Sequence, residues 1–377
     1  WGASDLLADK REESMTLRNM ALLLALLALA HTASGEDAWA YKHMLYTDGD
    51  WPYPSVKVND DGNVYLSYYL DEESAVKCAV WDGSGWTHQT VGASAGGYTS
   101  LDLGSGGSPR IAYDSAGQIK YAAWDGASWN VEPVGAGVLD TNSGLAVDDS
   151  GNAHIAFVDG SGVGYAFSAG GGWAFEPVDA GDCQGASLAL DGTDRPHISY
   201  ERRPAAGDTE IRYTARGSSG WSGPVAVATT EAPGDPSLCL TSGDAAHIAY
   251  RSNHETMVHA TNAGGAWTAQ TVEAEDAAGI DWAPSLIADS QDHLHLSYRG
   301  QDSPDVDAGL KYATKTDGEW DVGRIAGYSH WRFRYVSLAA DADDGIHAAY
   351  TSPADAVDHP GLVYAERNPQ WAVFAVA

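Results

Sequence analysis

Cysteine is scarce in this chain: 377 residues carry three, Cys78, Cys183 and Cys239. An odd count at scattered positions does not make a disulfide framework. Cys78 and Cys239 fall within predicted strands, where a thiol serves as a small buried hydrophobe. Basic residues are scarce as well. Lysine and arginine number 21 against 52 aspartates and glutamates, a formal net charge of −31. That balance argues against nucleic acid and against anionic membrane surfaces as partners. It describes a solvated acidic surface that keeps the chain soluble and monomeric, and it also fits a protein working in salty water.

Long apolar runs are missing but for one, "MALLLALLALA" at 20–30. It follows Met15 and Arg18 and leads into the small residues "HTASG". This is the order of a secretory signal over 15–35, and the run is too short to span a bilayer. Residues 1–14 precede the plausible start and read as an upstream extension. The mature chain is expected to begin near Glu36, to have no membrane span, and to be exported to the extracellular or periplasmic space. No segment outside the signal shows a convincing helical period.

What is present is a phrase written seven times: "NVYLSY", "SPRIAY", "NAHIAF", "RPHISY", "AAHIAY", "HLHLSY" and "GIHAAY". Their last residues are Tyr68, Tyr113, Phe157, Tyr200, Tyr250, Tyr298 and Tyr350, spaced by 45, 44, 43, 50, 48 and 52 residues. Twelve residues before each aromatic stands an apolar residue: Val56, Leu101, Leu145, Leu188, Leu238, Leu286 and Leu338. After each aromatic comes a third strand such as "IKYA" or "IRYT", then a Gly-rich turn and a tryptophan that opens a fourth. Four short strands per unit, bounded by Gly, Asp, Asn and Ser, and repeated seven times, predict an all-β fold. The specific expectation is a seven-bladed β-propeller of four-stranded antiparallel blades over 36–377. Two phrases compete to close the ring: "WAYKHML" at 39–45 and "WAVFAVA" at 371–377.

The spacing also tells the two faces apart. The turn between strands one and two has one length throughout, and the third strand's opening residue to the tryptophan is 10 residues in six units. The gap from aromatic to third strand ranges from 6 to 12 residues, and the inter-blade connections vary too. In a meander the constant turns share one face and the variable loops share the other, where binding and catalysis are usually placed. The variable loops carry the aromatics Trp51, Tyr53, Tyr98, Trp282, Trp331, Phe333 and Tyr335. They also carry Arg202, Arg203, Arg251, Arg299, Arg332 and Arg334, six of the chain's 14 arginines. Acidic residues such as Asp114, Glu201 and Glu255 interleave. Guanidinium forks match carboxylates and sulfates, and exposed indoles and phenols offer flat platforms with a polar edge. Sugars have an apolar ring face and a hydroxyl rim, so the mix suits carbohydrate, anionic carbohydrate above all. Arg202, Arg251, Arg299, Arg332, Arg334, Trp51, Tyr98, Trp282 and Trp331 are the candidate ligand-binding residues. Pairing of the arginines with neighbouring carboxylates is the competing explanation.

Five of the seven phrases contain a histidine: His154, His197, His247, His295 and His347. A shared metal ion is opposed by geometry, because stacked sheets lie about 10 Å apart whereas metal–nitrogen bonds are about 2 Å. The histidines also sit beside the constant turn. They are expected to satisfy backbone or Asp groups there, with Arg110 and Tyr65 as stand-ins. The Asp-rich first turns, such as "NDDGN" and "DADDG", lack the full ligand series of a calcium loop and are expected to form turns. "DSPDVD" at 302–307 is the one stretch with a calcium-like pattern on the variable face. The expected site needs no metal and no cofactor.

The phrase in its form "ASLALDGTDRPHISY" (186–200), followed by a third strand and G-x-W, resembles a repeat of secreted microbial β-propeller proteins. Such proteins are similar in architecture to fucose-binding propeller lectins and sialidase-like repeat proteins. The resemblance covers about 55–376 and implies a rigid propeller with a glycan ligand. Gly83, Gly126, Gly170 and Gly264 lie three residues before a tryptophan, as in the sialidase Asp-box. Asp82 and Asp125 are four before it rather than five, and the box's opening serine is absent, so no catalytic residue carries over. The resulting expectation is a secreted propeller binding carbohydrate or an extracellular protein. One alternative is a glycosidase or lyase acting on an acidic sugar, with Glu201, Glu255 or a face tyrosine as base or nucleophile. The other is a structural surface protein.

Overall fold

The computed structural model describes residues 39–46, 53–93, 97–141, 144–205, 207–230, 233–253, 256–274, 281–300, 309–316, 318–326, 334–352 and 361–367. The signal-like stretch, the extension before it, 302–307 and 371–377 all lie outside these residues. Seven antiparallel sheets follow one another around an axis. Blade 1 comprises Ser55–Val58, Val64–Leu70, Ala75–Trp81 and Trp86–Ala93, with the first strand innermost. The inner strands of blades 2 to 7 are Thr99–Leu103, Leu145–Val147, Cys183–Leu190, Pro233–Leu240, Asp281–Ala288 and Arg334–Ala340. In blade 4 the outer strand is broken into Gly220–Trp221 and Val225–Thr230, both pairing with Thr209–Gly217.

The ring is closed by the N-terminal phrase. Ala40–Tyr46 pairs antiparallel with Gly361–Arg367 and is the fourth strand of blade 7. Trp39 accordingly takes the tryptophan position of that blade. Six of the seven tryptophans meet the third-strand ring of the preceding blade edge-on. The pairs are Trp173 on Tyr121, Trp221 on Tyr165, Trp267 on Tyr213, Trp320 on His259, Trp39 on Tyr312 and Trp86 on Tyr364, all with centroids 5.0–5.5 Å apart. Only blade 1 offers no ring; there Trp129 packs on the cluster containing Cys78. Such contacts add about 0.5–1.5 kcal/mol each beyond area burial.

A second ring of contacts lies nearer the axis. In six of the seven units a serine precedes the apolar residue of the inner strand. Its Oγ accepts the N–H of the corresponding residue in the next blade. Leu101 bonds Ser55, Leu145 bonds Ser100, Leu238 bonds Ser187, Leu286 bonds Ser237, Leu338 bonds Ser285 and Val56 bonds Ser337, all at 3.0–3.1 Å. Blade 3 has Gly144 instead, where a Cβ would come within 2.9 Å of the Ala156 carbonyl oxygen. Across that seam Asp140 takes over, accepting from the Gly185 N–H at 2.6 Å and the Ala186 N–H at 3.3 Å.

The constant turns form a third ring. Asp194, Asp244, Asp292 and Asp344 hold left-handed backbone at φ near +60°, which aspartate tolerates better than most residues. Their carboxylates accept backbone N–H groups of the preceding blade's turn: Asp149, Gly192, Ser242 and Ser290. The Asp-rich turns thus spend their oxygens on the chain itself.

The histidines point back into the same turns. His154, His197, His295 and His347 each pair Nδ1 with a third-strand tyrosine OH at 2.5–2.6 Å: Tyr165, Tyr213, Tyr312 and Tyr364. Each also pairs Nε2 with a turn aspartate at 2.9–3.3 Å: Asp148, Asp191, Asp289 and Asp341. All four rings are buried. Blade 5 breaks the pattern, with Thr241 for the aspartate and His259 for the tyrosine. There His247 Nδ1 meets His259 Nε2 at 2.9 Å, the two rings edge to edge and parallel within 2°. Arg110 stands in by donating to the carbonyls of Trp124 and Pro109.

Candidate functional site

The variable face is where the phrase's strand runs out past its aromatic. The residue just after that aromatic is Tyr69, Asp114, Val158, Glu201, Arg251, Arg299 and Thr351 in blades 1 to 7. Arg251 and Arg299 therefore share one register position in adjacent blades, paired with Gly234 and Asp281 of their inner strands. Arg299 is buried and Arg251 half-buried. Gly234 leaves room for the Arg251 side chain; a Cβ there would lie 2.8 Å from Nε.

Arg202 does not join them. It stands two residues after Tyr200, not one, and strand alternation turns it to the other side of its blade. Its Nε lies 4.0 Å from Asp179 of blade 3, and Nη1 donates to the carbonyls of Asp182 and Arg203. Glu201 holds the position equivalent to Arg251 and accepts from Arg203 Nε. Of the other candidates, Tyr98 is placed at the mouth of the ring. Arg334 and Trp282 lie in inner strands whose side chains at these positions are outside the described residues, and so are Trp51, Trp331, Arg332 and Glu255 altogether.

Tyr98 has company that residue type alone did not single out. Tyr53, Tyr98 and Tyr335 all stand three residues before the apolar residue of the inner strand, in blades 1, 2 and 7. Their rings touch: centroids are 4.5 Å apart for Tyr53 and Tyr98, 4.1 Å for Tyr53 and Tyr335, and 5.5 Å for Tyr98 and Tyr335. All three are half-buried. Beside them, the Asp114 carboxylate accepts the Tyr98 N–H; burial pushes its pKa up to about 6, and the charge of Asp140 adds to the rise. Burial likewise pushes Asp140 up to about 6 despite its two N–H donors, with Glu201 contributing. Around the mouth, Asp114, Asp140 and the Arg203-paired Glu201 lie in blades 2 to 4, Arg251 and Arg299 in blades 5 and 6, and the tyrosines across blades 7, 1 and 2.

A cavity of about 380 Å³ follows the axis, lined by all seven inner strands. Its constant-face end is aliphatic, with Leu190, Leu240 and Ala288, and holds one ion pair, Lys57 with Asp102 at 3.3 Å. The serines that line the rest of it already accept N–H groups of the next blade, so the charged and aromatic mouth is the better candidate. Among the described residues no three His, Cys, Asp or Glu side chains gather as a metal site requires, and no helix is long and apolar enough to cross a membrane.

The architecture is shared with solved structures of low sequence identity. A polysaccharide lyase, the PL25 ulvan lyase determined with -[GlcA(1-4)Rha3S]- bound, is 14% identical with TM-score 0.62, over 89% of this chain and 100% of that one. A protein of unknown function from Dyadobacter fermentans is 12% identical with TM-score 0.54, over 86% and 98%. An arginine-to-alanine variant of AofleA from Arthrobotrys oligospora is 13% identical with TM-score 0.50, over 80% and 94%. At these identities the likeness is one of fold. No protein-family model and no curated protein matches the chain. Fold and face together define a seven-bladed propeller with a polar, aromatic mouth on its variable side.

Proposed function

We propose that this propeller is exported and binds an acidic glycan at the mouth of its variable face. The observation that carries the reading is the pair Arg251 and Arg299. Two guanidinium groups occupy one register position in adjacent blades of a chain whose net charge is −31. Such forks recognise carboxylate and sulfate, and the neighbouring tyrosines supply the apolar surface a sugar ring needs. The fold neighbour that binds -[GlcA(1-4)Rha3S]- makes a sulfated uronic-acid oligosaccharide the first ligand to try. Calorimetry with that oligosaccharide tests the reading. Arg251→Ala and Arg299→Ala are each expected to weaken binding by about 1.5–3 kcal/mol, the range for a hydrogen bond to a charged group. Equal affinity of both variants and wild type would remove the arginines from the site.

A second reading, cleavage of the same glycan, is favoured by Asp114. A carboxyl raised to about 6 beside a tyrosine is suited to proton transfer near neutral pH. Incubating the protein with the oligosaccharide and following chain length by mass spectrometry distinguishes the two. Intact oligosaccharide supports binding alone.

A further inference from the structure

The backbone under Tyr53 and Tyr335 sets these two apart from ordinary surface aromatics. Three residues before the inner-strand apolar residue, several blades shift register by a bulge. In blade 4 the bulge residue is Gly185, with φ +65°. Glycine takes that left-handed conformation at no steric cost, so the fold itself asks for no side chain there. Blades 1 and 7 place Tyr53 and Tyr335 at the same point, with φ +41° and +52°. For a bulky residue this region is unfavourable, and it persists only where the surroundings impose it. In blade 1 the restraint is visible. Thr99 Oγ1 donates to the Tyr53 carbonyl at 3.1 Å, and Thr99 is itself held by Ser67 Oγ at 2.8 Å. Two tyrosines are thus kept against their backbone preference, where glycine is shown to suffice, and both rings meet Tyr98.

We propose that Tyr53, Tyr98 and Tyr335, whose rings are tilted 44–90° to one another, form an aromatic cup that receives one uronic-acid pyranose ring of the bound glycan. This deepens the acidic-glycan reading and rests on it. The apolar C–H face of the sugar lies on one phenol ring of the cup, with the other two at its edge. Asp114, next to Tyr98, takes ring hydroxyls, and the sugar's carboxylate faces the basic side of the mouth at Arg299. Glycine at the bulge would relieve the backbone and open the cup together. The tyrosines therefore trade folding stability for a binding surface.

The test uses the whole chain, a -[GlcA(1-4)Rha3S]- tetrasaccharide, calorimetry, and thermal unfolding without ligand. Tyr53→Gly and Tyr335→Gly are expected to lower affinity at least tenfold while the melting temperature stays near that of wild type, relief of the left-handed backbone offsetting the lost ring contacts. Tyr53→Asn, which keeps a residue tolerant of left-handed backbone, is expected to do the same should the glycine variant fold poorly. Tyr53→Phe keeps the ring and is expected to bind within threefold of wild type. Gly and Asn variants that bind like wild type, while Arg251→Ala still weakens binding, overturn the cup and leave the glycan reading standing. Lower melting temperatures with unchanged affinity overturn it too, by making the tyrosines structural. A wild-type protein that binds no acidic oligosaccharide overturns both.

Discussion

Blade 5 departs from a rule that four other blades obey, and that departure can be repaired. Elsewhere the phrase's histidine bridges a turn aspartate and a third-strand tyrosine; in blade 5 the turn position holds Thr241, and His247 pairs with His259. Burial holds both imidazoles neutral, His247 near 4 and His259 near 3, with the charges of Lys315 and of the neighbouring histidine adding to the effect. A histidine whose folded value is depressed stabilises the protein above its unfolded value, about 6.5, and loses that contribution as pH falls. At about pH 5 the loss for His259 alone is about 2 kcal/mol. The double substitution Thr241→Asp with His259→Tyr writes the consensus of this chain's own repeats into blade 5. Trp320 already stands 5.3 Å from the His259 ring, within the range its counterparts keep from tyrosine, so the phenol has its place. His247 would donate from Nε2 to the new carboxylate, a charge-assisted bond worth about 1.5–3 kcal/mol. Removing His259 flattens the acid limb as well. Urea unfolding followed by tryptophan fluorescence, at about pH 7.5 and about pH 5, reads both effects. The variant is expected to be more stable at both, by the larger margin in acid. A variant no more stable than wild type, with the same loss toward acid, would refute the view that these clips hold the blades.

The same logic fixes two further expectations. His197→Ala should cost about 1–3 kcal/mol, because Tyr213 and Asp191 are left without the ring between them, and it should leave glycan affinity unchanged; urea midpoints and calorimetry check the two halves. Asp140 titrates near 6, above its unfolded value of 3.8, so its stabilising contribution is full below the unfolded value and is lost as pH rises through 6. The loss is about 3 kcal/mol. Asp140→Asn should therefore gain on wild type between about pH 4 and pH 7.5, and a pH-independent difference in urea midpoint would show that this carboxylate does not titrate in the range.

Much of this was legible in the repeat. Seven aromatics at near-constant spacing and a constant 12-residue step gave blade count, strand order and the division into faces, because every blade must bury the same pattern against the next. The histidine–aspartate pairs were foreshadowed by the position of the histidines beside the turn. Closure was not legible: two tryptophan phrases are equivalent as patterns, and only the pairing of Ala40–Tyr46 with Gly361–Arg367 separates them. The division of the arginines was present but unread. Arg202 stands one residue further from its aromatic than Arg251 and Arg299, and in a strand one residue changes the side. The serine clips had a signal of their own, Ser before the inner-strand apolar residue in six units. The backbone under Tyr53 and Tyr335 had none beyond the glycine at the same step in blade 4, because side-chain identity does not encode φ.

The central claim is that the mouth of the variable face recognises acidic sugar. A glycan array probed with the labelled whole protein at about 50 mM and about 500 mM salt tests it most directly, since the higher value screens the approach of an anionic glycan to the half-buried Arg251. The account predicts retention on uronic-acid and sulfated glycans at low salt, marked loss at high salt, and little retention on their neutral counterparts. Equal retention on neutral and acidic glycans, insensitive to salt, would contradict it, as would retention on none.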